Sequence, residues 1–156
     1  MKKGLAILLA LVLTLGVSSL ALAEQTYELA LITDLGSIND KSFNEGAWEG
    51  LKAYAEANDI TYDYVQPSGQ GDDIYVDAID YAVSQGAKLI VTPGFLFEVP
   101  IFIAQDKYPD VTFVLLDGEP HSADYSEFKT GPNTLSIMYA EEQAGYLAGY
   151  AAVKDG

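Results

Sequence analysis

Short apolar runs of strand length alternate with helical ones along most of this chain, and no other feature constrains its fold as much. Residues 27–33, 60–65, 89–92, 112–116 and 134–138 read as strands, and residues 42–58, 73–85, 98–107 and 140–154 as helices. Leu89-Ile90-Val91-Thr92 has no in–out alternation, as expected of a strand covered on both faces. Strand, helix and strand in regular succession imply crossover units, and so an α/β fold: a doubly wound, mostly parallel sheet with helices on both faces.

The helices carry their own start and stop signals. Ser42, with Glu45 three residues on, forms a capping-box pattern for the first helix. Its apolar face is read as Phe43, Ala47, Leu51 and Tyr54 with Ala55. Asp72 and Asp73 suit the positive end of the second helix. Its row is Ile74, Ala78, Ala82 and Gln85, with Ile79 and Val83 beside it, and Gly86 is placed to end it. Pro100 is tolerable only in the first turn of the third helix.

Ahead of the first strand stand Lys2 and Lys3, an apolar run over residues 5–17, and Ala21-Leu22-Ala23. These are the three parts of a secretory signal, and the run is short for a membrane span. The expectation is a signal peptide over residues 1–23, cleaved after Ala23, and one domain over residues 24–156. There are no cysteines, which removes disulfides, thiolate metal sites and a lipid-bearing cysteine together. The product is therefore expected to be exported, periplasmic or extracellular, and soluble after cleavage.

Net charge is -15, with 8 basic residues, all lysine, against 23 acidic ones. Such a surface repels phosphate backbones, so nucleic acid is not an expected partner. The chain is nevertheless 49% hydrophobic and rich in tyrosine, unlike an acidic disordered segment.

Parallel sheets bind ligands beyond the carboxyl ends of their strands. Three such ends stand out: residues 34–44, 93–97 and 117–121. In the first, Asp34 and Gly36 lead through Asp40 to Phe43 and Asn44 at a helix start, where free backbone N–H groups can hold polar ligand atoms. A phenylalanine among polar residues there is placed to stack on a planar ligand. Asp34 and Asp117 are placed to accept hydrogen bonds. Each also has a plain structural reading, Asp34 as a turn residue, Phe43 as a core or staple residue, and Asp117 in an Asp-Gly turn.

Enzyme signatures are weaker. Gly69-Gln70-Gly71 lacks the lysine and hydroxyl of a phosphate loop, and no nucleophile elbow is present. His121 is the only histidine, expected to be solvated on a polar loop, so no histidine cluster exists for a metal. No catalytic residue, metal or cofactor is assigned.

Thr33-Asp34-Leu35-Gly36, Asp40-Lys41-Ser42-Phe43-Asn44 and Ala47-Trp48-Glu49-Gly50 resemble the basic membrane protein family, the purine-nucleoside-receptor-like substrate-binding proteins of ABC importers. Gly86-Ala87-Lys88-Leu89-Ile90-Val91, Gly94-Phe95, Pro109-Asp110-Val111, Leu116-Asp117-Gly118 and Glu141-Glu142-Gln143-Ala144-Gly145-Tyr146-Leu147-Ala148-Gly149 extend the likeness in order. The resemblance implies a type-1 periplasmic-binding fold, of which this chain is most of the N-terminal lobe, apparently truncated, with the second lobe absent.

It further implies a nucleoside ligand and an ABC permease as partner, in a protein that is monomeric when full length. By position, Phe43 stacks on the base and Asp117 bonds it, while Asp34, Asn44 and Gly94 line the pocket. Asp40 and Phe95, on the same loops, complete the candidate ligand-binding set. The other readings are a receptor for a sugar or other small metabolite, an exported enzyme using Asp34 and Asp117, and a fragment with no function of its own.

Overall fold

A computed structural model describes residues 26–155, so the signal expected over residues 1–23 lies outside the described residues. Five strands, β1 (Leu29–Ile32), β2 (Tyr62–Val65), β3 (Leu89–Pro93), β4 (Thr112–Leu116) and β5 (Thr134–Ile137), form one sheet in the order β2-β1-β3-β4-β5. Every pairing is parallel, with Leu29 opposite both Tyr62 and Leu89. The helices are α1 (Phe43–Ala57), α2 (Asp72–Ser84), α3 (Glu98–Lys107) and α4 (Glu141–Asp155). A 3-10 turn, Phe95–Phe97, leads into α3 and has no counterpart in the sequence reading.

Strand geometry sorts the sheet's side chains onto two faces. Ala30 and Ile32 of β1, Ile90 of β3, and Phe113 and Leu115 of β4 point to the side covered by α2 and α3. There they meet Tyr75, Ile79, Phe97, Ile101 and Ala104 in one buried cluster, with the Tyr75 and Phe97 rings 4.7 Å apart. Leu29 and Leu31 point the other way, to Leu51 and Ala55 of α1. The expected helices on both faces are present, but the two cores differ greatly in size.

Two apolar faces differ from expectation by about one residue. In α1 the inward row is Asn44, Leu51 and Ala55, with Ala47 and Trp48 partly buried; Phe43 and Tyr54 are exposed. In α2 the buried row is Tyr75, Ala78, Ile79 and Ala82, not one led by Ile74. A periodicity of 3.6 fixes a stripe only to within one position when apolar residues flank it on both sides.

Gly86 ends α2 as expected, at φ 103°. Its N–H donates to the Val83 carbonyl at 3.0 Å and that of Ala87 to the Ala82 carbonyl at 3.1 Å, the two bonds of a left-handed C-terminal motif. The start of α1 is a correction. Ser42 occupies the cap position but its hydroxyl makes no cap hydrogen bond. Asp40 takes that role, its Oδ1 accepting from the backbone N–H of Ser42 (2.8 Å) and Glu45 (3.1 Å). Glu45 reaches back to the Lys41 N–H at 2.7 Å instead of to Ser42. An aspartate two residues upstream brings two acceptor oxygens, where a serine brings one hydroxyl, and Lys41 adopts φ 54° to let it fold over the helix end.

Candidate functional site

The order β2-β1-β3-β4-β5 reverses between β1 and β3, and a doubly wound sheet opens its crevice at the carboxyl ends of those two strands. Asp34 follows β1, Gly94 follows β3, and Asp117 follows β4. All three expected loops therefore lie along one rim.

Asp34, Asp40 and Asn44 form a closed cluster on the β1 side. The Asn44 amide nitrogen donates to Asp34 Oδ1 and to Asp40 Oδ2, both at 2.8 Å, and Asn44 Oδ1 accepts the Asp34 N–H at 3.3 Å. Asp34 Oδ1 also accepts the Gly36 N–H at 2.6 Å. Asn44 is buried and all of its polar reach is committed, so it acts as the brace that fixes both carboxylates. Gly36 is required by this packing, since a Cβ there would lie 2.5 Å from Asn44 Nδ2 and 3.0 Å from Asp34 Oδ1.

Desolvation raises the Asp40 carboxyl, but hydrogen bonds from Asn44 and from the Glu45, Ser42 and Asn44 backbones outweigh it and hold the group below its usual range. Behind the cluster, Tyr75 is fully buried with no hydrogen-bond partner for its hydroxyl. Burial, with the Asp34 charge added, pushes its phenol up.

Phe43 begins α1 with its ring at the rim, 36% exposed. It does not belong to the core of α1, and its one aromatic neighbour among the described residues is Tyr139, edge-on at 6.2 Å. Leu35, Phe95, Met138 and Tyr139 are also exposed at the ends of their strands. Tyr139 was not anticipated; only an aromatic residue directly after a strand end could have signalled it.

Gly94 has φ 104°, a conformation that strains any L side chain, and its N–H donates to the Leu116 carbonyl at 2.7 Å. A Cβ there would meet nothing within 4 Å, so the backbone faces open space. Asp117 is left-handed as well, at φ 61°, with its N–H donating to the Ile137 carbonyl at 2.7 Å. Non-glycine residues held there at a strand end commonly serve a site. A hydrogen bond to Asp117, followed by the charge of that carboxylate, raises the Glu141 carboxyl.

His121 corrects the sequence reading. It is 3% exposed, not solvated, with its ring stacked 4.2 Å from that of Tyr125 and facing Glu98. A neighbouring cavity of about 260 Å³ is lined by Asp72, Phe95, Glu98, His121 and Tyr125 among others. A larger apolar trough of about 350 Å³ runs beside α1, between Gly46, Gly50 and Tyr54 and the sheet residues Leu89, Val91 and Leu116, and holds none of the candidate residues.

Acceptors braced at the sheet's switch point, an exposed ring beside them and a glycine backbone facing open space thus stand together on one rim of an α/β domain. Residues 27–154 match the family described as ABC transporter substrate-binding protein PnrA-like, and the chain belongs to that family. Over 129 residues it is 33% identical to the ABC transporter nucleoside-binding protein BmpA of Lactococcus lactis subsp. cremoris, covering 80% of this chain and 34% of that one. Basic membrane protein A of Borreliella burgdorferi is 27% identical over 134 residues, covering 86% and 37% respectively.

Among solved structures, an ABC transporter solute-binding protein of Aeropyrum pernix K1 superposes with a TM-score of 0.67 at 24% identity, over 79% of this chain and 31% of that one, and so shows the fold. One from Conexibacter woesei has a TM-score of 0.57 at 26% identity, over 79% and 39%. The chain spans about a third of the length of the curated relatives it matches, at 34% and 37%.

Proposed function

We propose that this chain forms one wall of a cleft that binds a purine nucleoside or a closely related molecule, for delivery to an ABC permease. The observation that carries this reading is Phe43, a ring set at the rim by a helix start whose cap, Asp40, is itself fixed by Asn44. Phe43 stacks on one face of the base. Asp117 accepts from the base's N–H groups, and Asp34, Asn44, Asp40, Gly94 and Phe95 shape the pocket around it.

The charge at the rim selects among purine ligands. Asp34, Asp40, Asp117 and Glu141 surround the site, and the chain contains no arginine. On this wall a phosphate would meet these carboxylates, with Lys41 the one lysine on the three rim loops, which favours an uncharged nucleoside over a nucleotide. The nucleoside named for the Lactococcus lactis relative agrees with this reading. Residues 1–23 serve as the export signal, and a second lobe supplies the opposite wall.

Calorimetry with guanosine, adenosine and inosine on a polypeptide carrying both walls tests the proposal. Heat with at least one of them, and a loss of about tenfold or more in affinity on Phe43→Ala, is the expected result. A Phe43→Ala variant that binds as tightly as the parent removes the stacking role. Heat with a sugar and none with any nucleoside assigns the same cleft to a different ligand class.

A further inference from the structure

Two of the rim loops are fastened to each other by a pair of side chains that lie outside the candidate site. Glu98 is the first residue of α3, directly after the turn that carries Phe95. Its Oε1 accepts the Glu119 N–H at 2.9 Å, two residues beyond Asp117. Its Oε2 lies 3.2 Å from His121 Nε2. Its stem packs under the same turn, where a Cβ on Gly118 would sit 3.0 Å from Glu98 Cγ.

The proton count on His121 follows from its two neighbours. Nδ1 lies 2.8 Å from the Ser122 carbonyl oxygen, which can only accept, so Nδ1 carries a proton. A neutral ring in that tautomer turns a lone pair toward the Glu98 carboxylate. The contact is bonding only when a second proton lies between Nε2 and Oε2. Other titratable groups near the ring are Tyr125, stacked on it from the same loop, and Asp72 at the start of α2, which lines the same cavity. Phe128 closes the ring's surroundings, with centroids 5.2 Å apart.

We propose that Glu98 and His121 are positioning residues, a proton-dependent clamp that holds the Asp117 turn and the Phe95 turn in register across the rim. The clamp rests on the nucleoside reading only for its consequence in binding; its existence is read without any ligand. Asp117 depends on it most, because a left-handed aspartate needs its following turn held in place, and that turn is what Glu98 grips.

His121 is the only histidine, so its imidazole signals in the full chain are unambiguous by NMR. The test follows them through a pH titration together with the amides of Gly94, Phe95, Asp117, Gly118 and Glu119. In the parent chain those amides are expected to move with the ring through one midpoint. Glu98→Gln keeps an acceptor for Glu119 and removes the charge, so the shared midpoint moves to lower pH while the low-pH amide positions stay close to the parent. Asp72→Asn leaves the coupling in place.

Amides that do not follow the ring, or a midpoint unmoved by Glu98→Gln, overturn the clamp. Calorimetry with guanosine then reads its consequence: Glu98→Ala weakens binding roughly tenfold and Glu98→Gln restores most of it. Absence of heat with guanosine, adenosine and inosine in a parent polypeptide carrying both walls removes the nucleoside reading and leaves the clamp to the NMR result.

Discussion

The two faces of the sheet are held by different means. On the α2/α3 side, fifteen buried residues form one cluster centred on β1, β3 and β4. On the α1 side the buried cluster is four residues, Leu29, Leu31, Leu51 and Ala55, and an apolar trough opens beside it. What the α1 side lacks in burial it replaces at one end with hydrogen bonds, the Asp34–Asn44–Asp40 brace that joins β1 to the helix start. The rigid face serves as foundation, and the polar end of the thinner face carries the candidate site. Parallel sheets of this kind are ordinarily covered on both sides, so the trough marks the place where this domain is least self-sufficient.

Phe113→Ala should be the most damaging change, because Phe113 is fully buried against α2 and α3: a loss of about 3–5 kcal/mol, measured by urea unfolding. Leu51→Ala removes a buried side chain from the thinner face, next to the trough, where water can fill the space. A smaller loss of about 2 kcal/mol is expected. Equal losses at the two positions would show that the two faces are equally consolidated.

Gly36→Ala probes the polar brace. Its methyl group displaces Asn44 from Asp34 and should cost about 1–2 kcal/mol, visible as lost protection of the Gly36 and Asn44 amides in hydrogen exchange. Gly50→Ala should do the reverse. Its Cβ meets nothing within 4 Å and it lies inside α1, so helix propensity alone predicts a gain of about 0.5–1 kcal/mol in the thermal midpoint analysis. A loss at Gly50 would mean that the trough is occupied in solution.

Helix α4 adds a third term to the contrast, since none of its residues is buried. It carries Tyr146, Leu147, Tyr150 and Val153 exposed. Read from sequence, this helix stands level with the others because its pattern is helical; a pattern does not reveal which body a helix packs on. The same limit explains His121. A lone histidine among Ser, Asp and Glu reads as a solvated loop residue, and only the return of the loop over α3 buries it against Glu98. Tyr139 was missed for a like reason, as its neighbour Phe43 is nearly a hundred residues earlier in the chain. Asp40 was placed in the site by sequence, but its role as helix cap was assigned to Ser42 because both lie in one Asp-Lys-Ser run and local pattern cannot rank two capping residues.

The residue string alone determined the order of strands and helices, the parallel character of the sheet and the three loops at its carboxyl rim. Those follow from local periodicity and from the handful of topologies that alternating elements allow. Tertiary structure decided which carboxylate caps α1, that Asn44 braces the site from inside, that Asp117 and Lys41 take left-handed conformations, and that Glu98 and His121 join two loops. Each of those is a contact between atoms brought together only by the folded chain, and the strength of a hydrogen bond depends on distances and burial that no spacing along the sequence encodes.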